Sequence, residues 1–445
     1  LTLLSDGAKT GGTNRITRDA ALLLKARVAL FEATFEKYFA GTPFVPDAAA
    51  GWPGAQKEYN KDFSYDNQKE VNFFLDEAMK AAKEVADKHQ LASNNKRAIG
   101  DAFFSTAPSN EYYNMFAGTD ASSFDEVLMW HAYDRDLGVS HQFNKYVKSS
   151  NGYTQEYQNA FLMESGLPIY AAGDEYKGDD YIENTKVKRD WRWRLFMKAP
   201  GEYIYTGENT RYGAEGKKIN GEVTYVPAVY TTKHTFASRT GYGKGKMFST
   251  NAAFGGDKTD MTNTIIYRAA EAYLIYLEAC WEKKGDVLDD DAWKYWKALR
   301  TRAGVGEPDV TIQATDLDKE WEYTKDLGLY SAGQRITSKV LYNIRRERRC
   351  EFISEGHRFD DLIRWRALDQ LCENEASYIG EPYFLHGCKM HGPMKEYLKG
   401  ASLLKYDKDD SSENNVSSPN DMVGLLNNNP LYLSLYRIDS KNEWF

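Results

Sequence analysis

A dense run of charged residues carries the side chains best suited to acid–base chemistry or anion binding. Residues 343–366 read NIRRERRCEFISEGHRFDDLIRWR. On a helix, positions four apart are neighbours, so Glu351 would lie between Glu347 and Glu355. Each exposed like-charged pair would cost about 0.2–0.5 kcal/mol. We therefore expect these charges to pair with other elements in a buried structural network, and not to form a ligand site.

Aromatic residues are the second group with functional potential. The chain has 31 Tyr, 21 Phe and 10 Trp among its 445 residues. Flat rings can stack on sugar faces, and tyrosine and tryptophan add a hydrogen-bonding group. Because many rings fill the core of any large protein, rings in irregular sequence are the better candidates, together with nearby basic side chains. We predict ligand contacts for Trp130, His131, Tyr133, Tyr153, Arg239 and Tyr242.

One segment contains histidine and cysteine residues that could bind a metal. His386, Cys388 and His391 are zinc or copper ligand types, and Cys372 lies upstream. Their spacing matches no standard metal framework. Residues 407–410 (DKDD) lack the glycine and glutamate of a calcium-binding EF-hand loop. We predict no metal and no cofactor, while a disulfide between Cys372 and Cys388 remains an alternative.

The sequence lacks the motifs of common enzyme classes. It contains no G-x-S-x-G, H-E-x-x-H or Walker A spacing. A glycosidase needs only two carboxylates about 5–10 Å apart, and no motif among the 65 acidic residues indicates such a pair. The net charge of −8 argues against nucleic-acid binding. We predict a binding protein without catalytic residues.

Two predicted helices open the chain. Thr17 is a predicted N-cap, and small and apolar residues repeat at helical spacing after it. A second helix is predicted over residues 68–88, where Asn67 and Glu70 stand in the capping-box relation. We expect these helices to form a hairpin, joined by a long ordered loop over residues 41–66. The loop contains the aromatic residues Trp52, Tyr59 and Phe63.

Helical periodicity returns in the second half of the chain. We predict helices over residues 264–284 and 290–303, and two more segments between residues 338 and 372. Residues 94–260 carry little helical periodicity, and long irregular regions of this kind tend to hold binding residues. The predicted fold is mainly α: a superhelix like that of tetratricopeptide repeats (TPR), with large loop-rich insertions and a few short strands.

The charged run closely resembles the C-terminal signature of the SusD/RagB family. Residues 166–170 (GLPIY) and 189–192 (RDWR) resemble further family motifs, although Trp191 stands where the family has a proline. The signature residues are Arg345, Arg346, Glu347, Arg348, Arg349, Glu351, Glu355, Gly356, His357, Arg358, Asp361, Leu362, Arg364 and Trp365.

The resemblance implies one SusD-like domain over residues 1–445, without its N-terminal part. We expect residues 1–93 and 261–372 to form the TPR-like helical scaffold. Residues 94–260 would then form the loop-rich ligand-binding region, and residues 373–445 an irregular C-terminal segment.

The resemblance also implies a cellular role. It points to a surface-exposed lipoprotein of a Gram-negative outer membrane, held by an N-terminal lipid anchor that is not present in this sequence. Such a protein captures oligosaccharides or polysaccharides and delivers them to a SusC-like TonB-dependent transporter, without catalysis. Peptide capture by a RagB-like member is the alternative within the family. A TPR-type scaffold that binds only protein partners is a further alternative.

Overall fold

The protein is mainly helical and has the predicted TPR-like architecture. The computed structural model describes residues 12–47, 49–97, 110–147, 152–227, 240–371, 383–388 and 434–438. The α-helices in these ranges are α1 (Arg18–Tyr38), α2 (Asn67–Ala86), α3 (Glu111–Ala117), α4 (Phe143–Tyr146), α5 (Gln155–Ala160), α6 (Trp191–Phe196), α7 (Ala269–Lys284), α8 (Asp290–Ala303), α9 (Pro308–Ala314), α10 (Leu317–Thr324), α11 (Lys339–Glu351) and α12 (Arg358–Arg364).

The strands are short and form small antiparallel sheets. They are β1 (Val127–His131), β2 (Gly152–Tyr153), β3 (Met197–Lys198), β4 (Ala214–Ile219), β5 (Glu222–Val226), β6 (Tyr242–Lys244), β7 (Thr264–Arg268), β8 (Tyr330–Ser331), β9 (Gln334–Arg335), β10 (Tyr383–His386) and β11 (Ser434–Ile438). β6 lies between β2 and β3, and the remaining strands pair as β1–β7, β4–β5, β8–β9 and β10–β11.

The first two helices form the predicted hairpin. The Thr17 hydroxyl accepts a hydrogen bond from the Ala20 amide at 3.1 Å, which caps α1 as expected. α2 begins one residue earlier than predicted, because the Asp66 side chain accepts from the Lys69 amide. Asn67 is therefore the first helical residue and not the cap. Small buried residues such as Ala26 let the two helices pack closely.

The third predicted helix starts later than its periodicity indicated. Residues 264–268 form β7, which pairs antiparallel with β1, and α7 begins only at Ala269. Two adjacent β-branched isoleucines in this stretch suit a strand, and the ladder with β1 satisfies its backbone groups. α8 matches its prediction. Asp289 caps its start, and Gly304 ends it in the left-handed conformation with φ of 63°.

Two cores lie on either side of the signature helix. The first is packed between α1, α2, α7, α8 and α11, and includes Leu23, Leu75, Leu274 and Trp296. The second lies beneath the loop-rich region and is strongly aromatic, with Tyr112, Phe116, Trp193, Phe196 and Tyr242.

Two short helices, α9 and α10, were not predicted from the sequence, because they contain few apolar residues.

α6 shows how the chain accommodates the departure at Trp191. Asp190 caps the helix by accepting from the Arg192 amide at 2.9 Å, and Trp191 takes the first helical position. Proline is favoured at that first position of helices, and here tryptophan occupies it without loss of the helix start.

In the parts of the chain that the structure describes, no helix is long and apolar enough to cross a bilayer.

Candidate functional site

The signature residues form a buried ionic network. Glu351 of α11 accepts a hydrogen bond from Arg302 at 2.5 Å and another from Arg268 at 2.7 Å. Arg192 also approaches it, at 3.3 Å. Burial alone would raise the pKa of Glu351, but these arginines lower it well below its ordinary range. The carboxylate is therefore charged and fully engaged in structure.

Neighbouring charges on α11 are paired in the same way. Arg192 donates to Glu347 at 2.5 Å, and Arg300 donates to the other oxygen of that carboxylate. Arg348 donates from Nε to both oxygens of Asp361, each at 2.8 Å. These partners lie on α6, α8 and α12. The prediction that the crowded charges pair with other elements is confirmed.

Three of the predicted ligand residues lie in the core. Trp130, Tyr153 and Tyr242 are buried, with 4, 5 and 0 % of their surface exposed. Trp130 donates from Nε1 to Thr13 at 2.9 Å, and Tyr242 donates to Gln155 at 2.5 Å. Their rings fill the aromatic core in this structure.

Two other predicted residues lie together on the surface. His131 ends β1 and Tyr133 lies two residues further along the chain, with the ring centroids 4.6 Å apart. Tyr133 also packs edge-on against His141 at 4.4 Å, and its hydroxyl lies 3.2 Å from the Thr264 hydroxyl. We call His131, Tyr133 and His141 the histidine–tyrosine patch. Arg239 lies outside the described residues.

A groove of about 600 Å³, lined by both polar and apolar side chains, lies in the loop-rich region. One wall is α3 and the turn after it, and the other is formed by Thr206 and residues 249–252. We call this cavity the polar groove. Its polar lining residues are Asn114, Asp120, Ser123, Thr206, Ser249, Thr250 and Asn251.

Hydrogen bonds fix the walls of the polar groove. The Tyr113 hydroxyl donates to the Phe248 carbonyl at 2.6 Å, which ties α3 to the opposite wall. Buried Asn144 binds the backbone of Ser249 from both sides, at 2.8 and 2.9 Å. The Thr206 amide donates to the Thr250 carbonyl at 2.9 Å. The groove is thus shaped before any ligand arrives.

Residues 260–264 connect the polar groove to the histidine–tyrosine patch. Asn263 donates to the Gly118 carbonyl at 2.8 Å, at the end of α3. The Asp260 carboxylate accepts a hydrogen bond from the backbone amide of Asn144 at 2.6 Å. His141 donates from Nε2 to the Thr262 carbonyl at 2.8 Å. One short segment therefore supports both features.

The groove offers hydrogen-bonding groups with little charge. Hydroxyl and amide side chains can both donate and accept, as sugar hydroxyls do. Hydrogen bonds from Ser122 lower the pKa of Asp120, so this carboxylate is an acceptor at neutral pH. Among the described lining residues, Asp120 is the one acidic side chain. The groove suits a neutral polyhydroxylated ligand.

Sequence reasoning missed the groove residues. Asn114, Thr206 and Asn251 are far apart in the chain and belong to no motif, so only the fold brings them together. The one usable signal was the irregularity of the region that contains them.

Some of the candidate metal-binding side chains lie within the described ranges and others lie outside them. His386 lies beside Glu156, with Nδ1 at 2.5 Å from a carboxylate oxygen, and Cys388 is buried. Within the described ranges, no cluster of three or more metal-binding side chains is present. His391, Cys372 and residues 407–410 lie outside those ranges, so the Cys372–Cys388 disulfide stays an alternative.

Comparison with known proteins places the fold. A SusD-like carbohydrate-binding protein from Bacteroides fragilis superposes with a TM-score of 0.56 at 16 % identity, covering 97 % of this chain and 63 % of that one. A second SusD-like protein from that species gives a TM-score of 0.46 at 20 % identity, covering 87 % and 60 %. A structure solved with a xylogluco-oligosaccharide gives 0.44 at 16 % identity, covering 92 % and 65 %.

The chain spans less than two thirds of each of these structures. A search of curated proteins gives no match. The model of the SusD family matches residues 107–429, which is more than half of the chain and includes the buried ionic signature. By that match, the chain belongs to the SusD family.

Proposed function

We propose that the protein captures oligosaccharides at the cell surface and passes them to a SusC-like TonB-dependent transporter. It would act as a lipoprotein of the outer membrane and would not cleave its ligand. Membership of the SusD family supports this role. The observation that supports a particular binding site is the polar groove, a preorganised cavity of about 600 Å³ in the loop-rich region.

The polar groove would bind sugar hydroxyls through its amide and hydroxyl side chains. Asn114 and Asn251 present amides from opposite walls, and Asp120 adds a charged acceptor. Because sugar hydroxyls already pair well with water, each net hydrogen bond contributes only about 0.5–1.5 kcal/mol. We expect modest affinity, built from several such bonds.

The histidine–tyrosine patch would extend the binding surface. His131 is exposed and Tyr133 is half-buried, so their rings can reach a ligand. Rings of this kind pack on the apolar face of a sugar while the groove binds its hydroxyls. In this proposal the helical scaffold holds the loops in place and does not itself touch the ligand in the groove.

The groove gives no support to glycoside hydrolysis. That reaction uses a pair of carboxyl groups, one on each side of the scissile bond. Asp120 has no acidic neighbour among the groove residues that the structure describes. We therefore favour capture over cleavage.

Calorimetry with a panel of neutral oligosaccharides tests this proposal. Asn114→Ala should weaken binding about tenfold, equivalent to about 1.4 kcal/mol. Asn72→Ala is the matched control, since Asn72 lies on α2 and outside the groove. Binding of peptides but of no saccharide would favour the RagB-like alternative. Association with a soluble partner and not with the transporter would favour a protein-binding scaffold.

A further inference from the structure

The loop between α1 and α2 contains a second concave surface, of 540 Å³. Its lining combines aromatic rings with amide, amine and carboxylate groups. We call this surface the aromatic basin. The residues that matter for its chemistry are Asp47, Trp52, Asn60, Phe63, Tyr65 and Asn67.

We propose that the aromatic basin is a second saccharide-binding site, which takes a neutral sugar ring of a longer glycan. The choice of a glycan rests on the proposed function; the position and chemistry of the basin do not. The residues that line the basin lie between positions 40 and 67, and those that line the polar groove lie between positions 113 and 252, so the two sites share no lining residue.

Three rings line the basin in succession. The Trp52 and Phe63 centroids are 5.7 Å apart with a tilt of 38°. Phe63 and Tyr65 are nearly parallel, at 6.3 Å and 25°. Phe63 is 52 % exposed, although large aromatic side chains are usually buried. An exposed ring held between two others offers a flat apolar surface that costs little entropy on binding.

Gly54 fixes the position of Trp52. The indole ring lies directly over this glycine, where any added side chain would collide with it. Asn60 donates to the Gly54 carbonyl at 3.0 Å, and the Ala55 amide donates to the Trp52 carbonyl at 3.1 Å. The ring is therefore oriented by its own loop before a ligand binds.

Asn67 anchors the other side of the basin to the scaffold. As the first residue of α2, it donates to the Glu36 carbonyl of α1 and to the Tyr65 hydroxyl, each at 3.1 Å. The basin thus rests on the ends of both helices of the first hairpin. Preorganisation of this kind lowers the entropic cost of ligand binding.

The charges around the basin indicate a neutral ligand. Lys61 and Asp47 both line it and have opposite signs. Amides and a phenol supply the remaining polar groups. A volume of 540 Å³ lies in the range of about 300–1,000 Å³ typical of small-molecule sites. Stacking surfaces beside neutral hydrogen-bonding groups match the apolar face and the hydroxyl edge of a sugar ring.

Two sites on one chain would favour long ligands. Once one site holds a polysaccharide, the other encounters it at high effective concentration. We expect the basin to contribute to the binding of polysaccharides much more than to the binding of short oligosaccharides.

Affinity electrophoresis and calorimetry on the same variants test the inference. The probes are gels containing starch, xyloglucan, arabinoxylan or β-mannan, and the matching short oligosaccharides in solution. Trp52→Ala and Phe63→Ala should weaken polysaccharide binding about tenfold, and Gly54→Ala should do the same by displacing the indole. Phe73→Ala is the matched control, because Phe73 is 54 % exposed on α2 and does not line the basin.

The outcomes separate this inference from the proposed function. If Phe63→Ala binds polysaccharides as tightly as Phe73→Ala while Asn114→Ala weakens binding, the basin is not a saccharide site and the groove stands. If the basin variants lose binding and Asn114→Ala does not, the basin is supported and the groove is the wrong site. If no probe binds the unmodified chain, both are overturned. Circular dichroism of each variant confirms that it is folded.

Discussion

Arg364 holds Glu278 through two parallel hydrogen bonds, Nη1 to Oε1 at 2.5 Å and Nη2 to Oε2 at 2.6 Å. Both side chains are buried, so the pair joins α12 to α7 away from solvent. We expect Arg364→Ala to lower the free energy of unfolding by about 3–5 kcal/mol, because it leaves a buried carboxylate without its partner. Urea denaturation measures this. The double variant Arg364→Ala/Glu278→Gln should lose less free energy of unfolding than the sum of the losses in the two single variants.

Glu351 and Arg348 should matter more for stability than for ligand binding. Both belong to the buried network and neither lines the polar groove. Glu351→Ala or Arg348→Ala should lower the melting temperature more than it weakens ligand binding. Glu307→Ala, which alters an exposed pair with Lys297 at 3.5 Å, is the control and should change little. Unchanged stability together with lost binding would instead assign the signature to ligand recognition.

Glu36 should make stability depend on pH. Burial, reinforced by repulsion from Glu32 and Glu70, raises the pKa of Glu36 from its ordinary 4.5 to about 7. The folded state therefore holds this proton more tightly than the unfolded state, and stability falls as the pH rises from about 4.5 to 7. Glu36→Gln should remove that fall, and it should be more stable than the unmodified chain at pH 8 by about 1–3 kcal/mol.

Thermal melts across this pH range provide the measurement for Glu36. The variant and the unmodified chain should differ little near pH 4, where the carboxyl is protonated in both states. Glu32→Gln tests the repulsion separately, because it should lower the pKa of Glu36 and reduce the slope without abolishing it. A slope unchanged in Glu36→Gln would contradict the assignment.

His89 should contribute a second pH dependence of the same sign. Burial disfavours its cation, but hydrogen bonds to Asp19 and Asp125, each at 3.0 Å, outweigh burial and raise the pKa of His89. The stabilisation is complete below the unfolded pKa of about 6.5 and is lost as the pH rises through the folded value. His89→Gln should make stability less dependent on pH in the range from about 6.5 up to the pKa of the folded state. NMR titration of the imidazole would directly show whether its pKa exceeds the ordinary value.

Local signals in the sequence predicted the helical scaffold well. Thr17 and Gly304 mark helix ends through chemistry confined to one turn, and the structure confirms both. β7 was missed because its strand pairing with β1 involves residues more than a hundred positions away, which local periodicity cannot report. The like-charged spacing around Glu351 predicted partners elsewhere, although it could not identify Arg268 or Arg302.

The candidate sites were harder to predict because burial depends on the whole fold. Tyr242 and Tyr133 both lie in irregular sequence, yet one is completely buried and the other partly exposed. The polar groove is built from side chains that share no motif. Sequence reasoning noticed the aromatic loop over residues 41–66, but its concave shape depends on how Trp52 folds over Gly54.

Arg268 gives the protein a mechanical property. It ends β7 and directly precedes α7, while its side chain binds Glu126, Glu351 and Glu355. The ladder between β1 and β7, together with the ion pairs of Arg268, couples the end of β1 to α7. A force applied at the end of β1 would therefore reach α7 without crossing a loop, because Arg268 joins the strand directly to the helix.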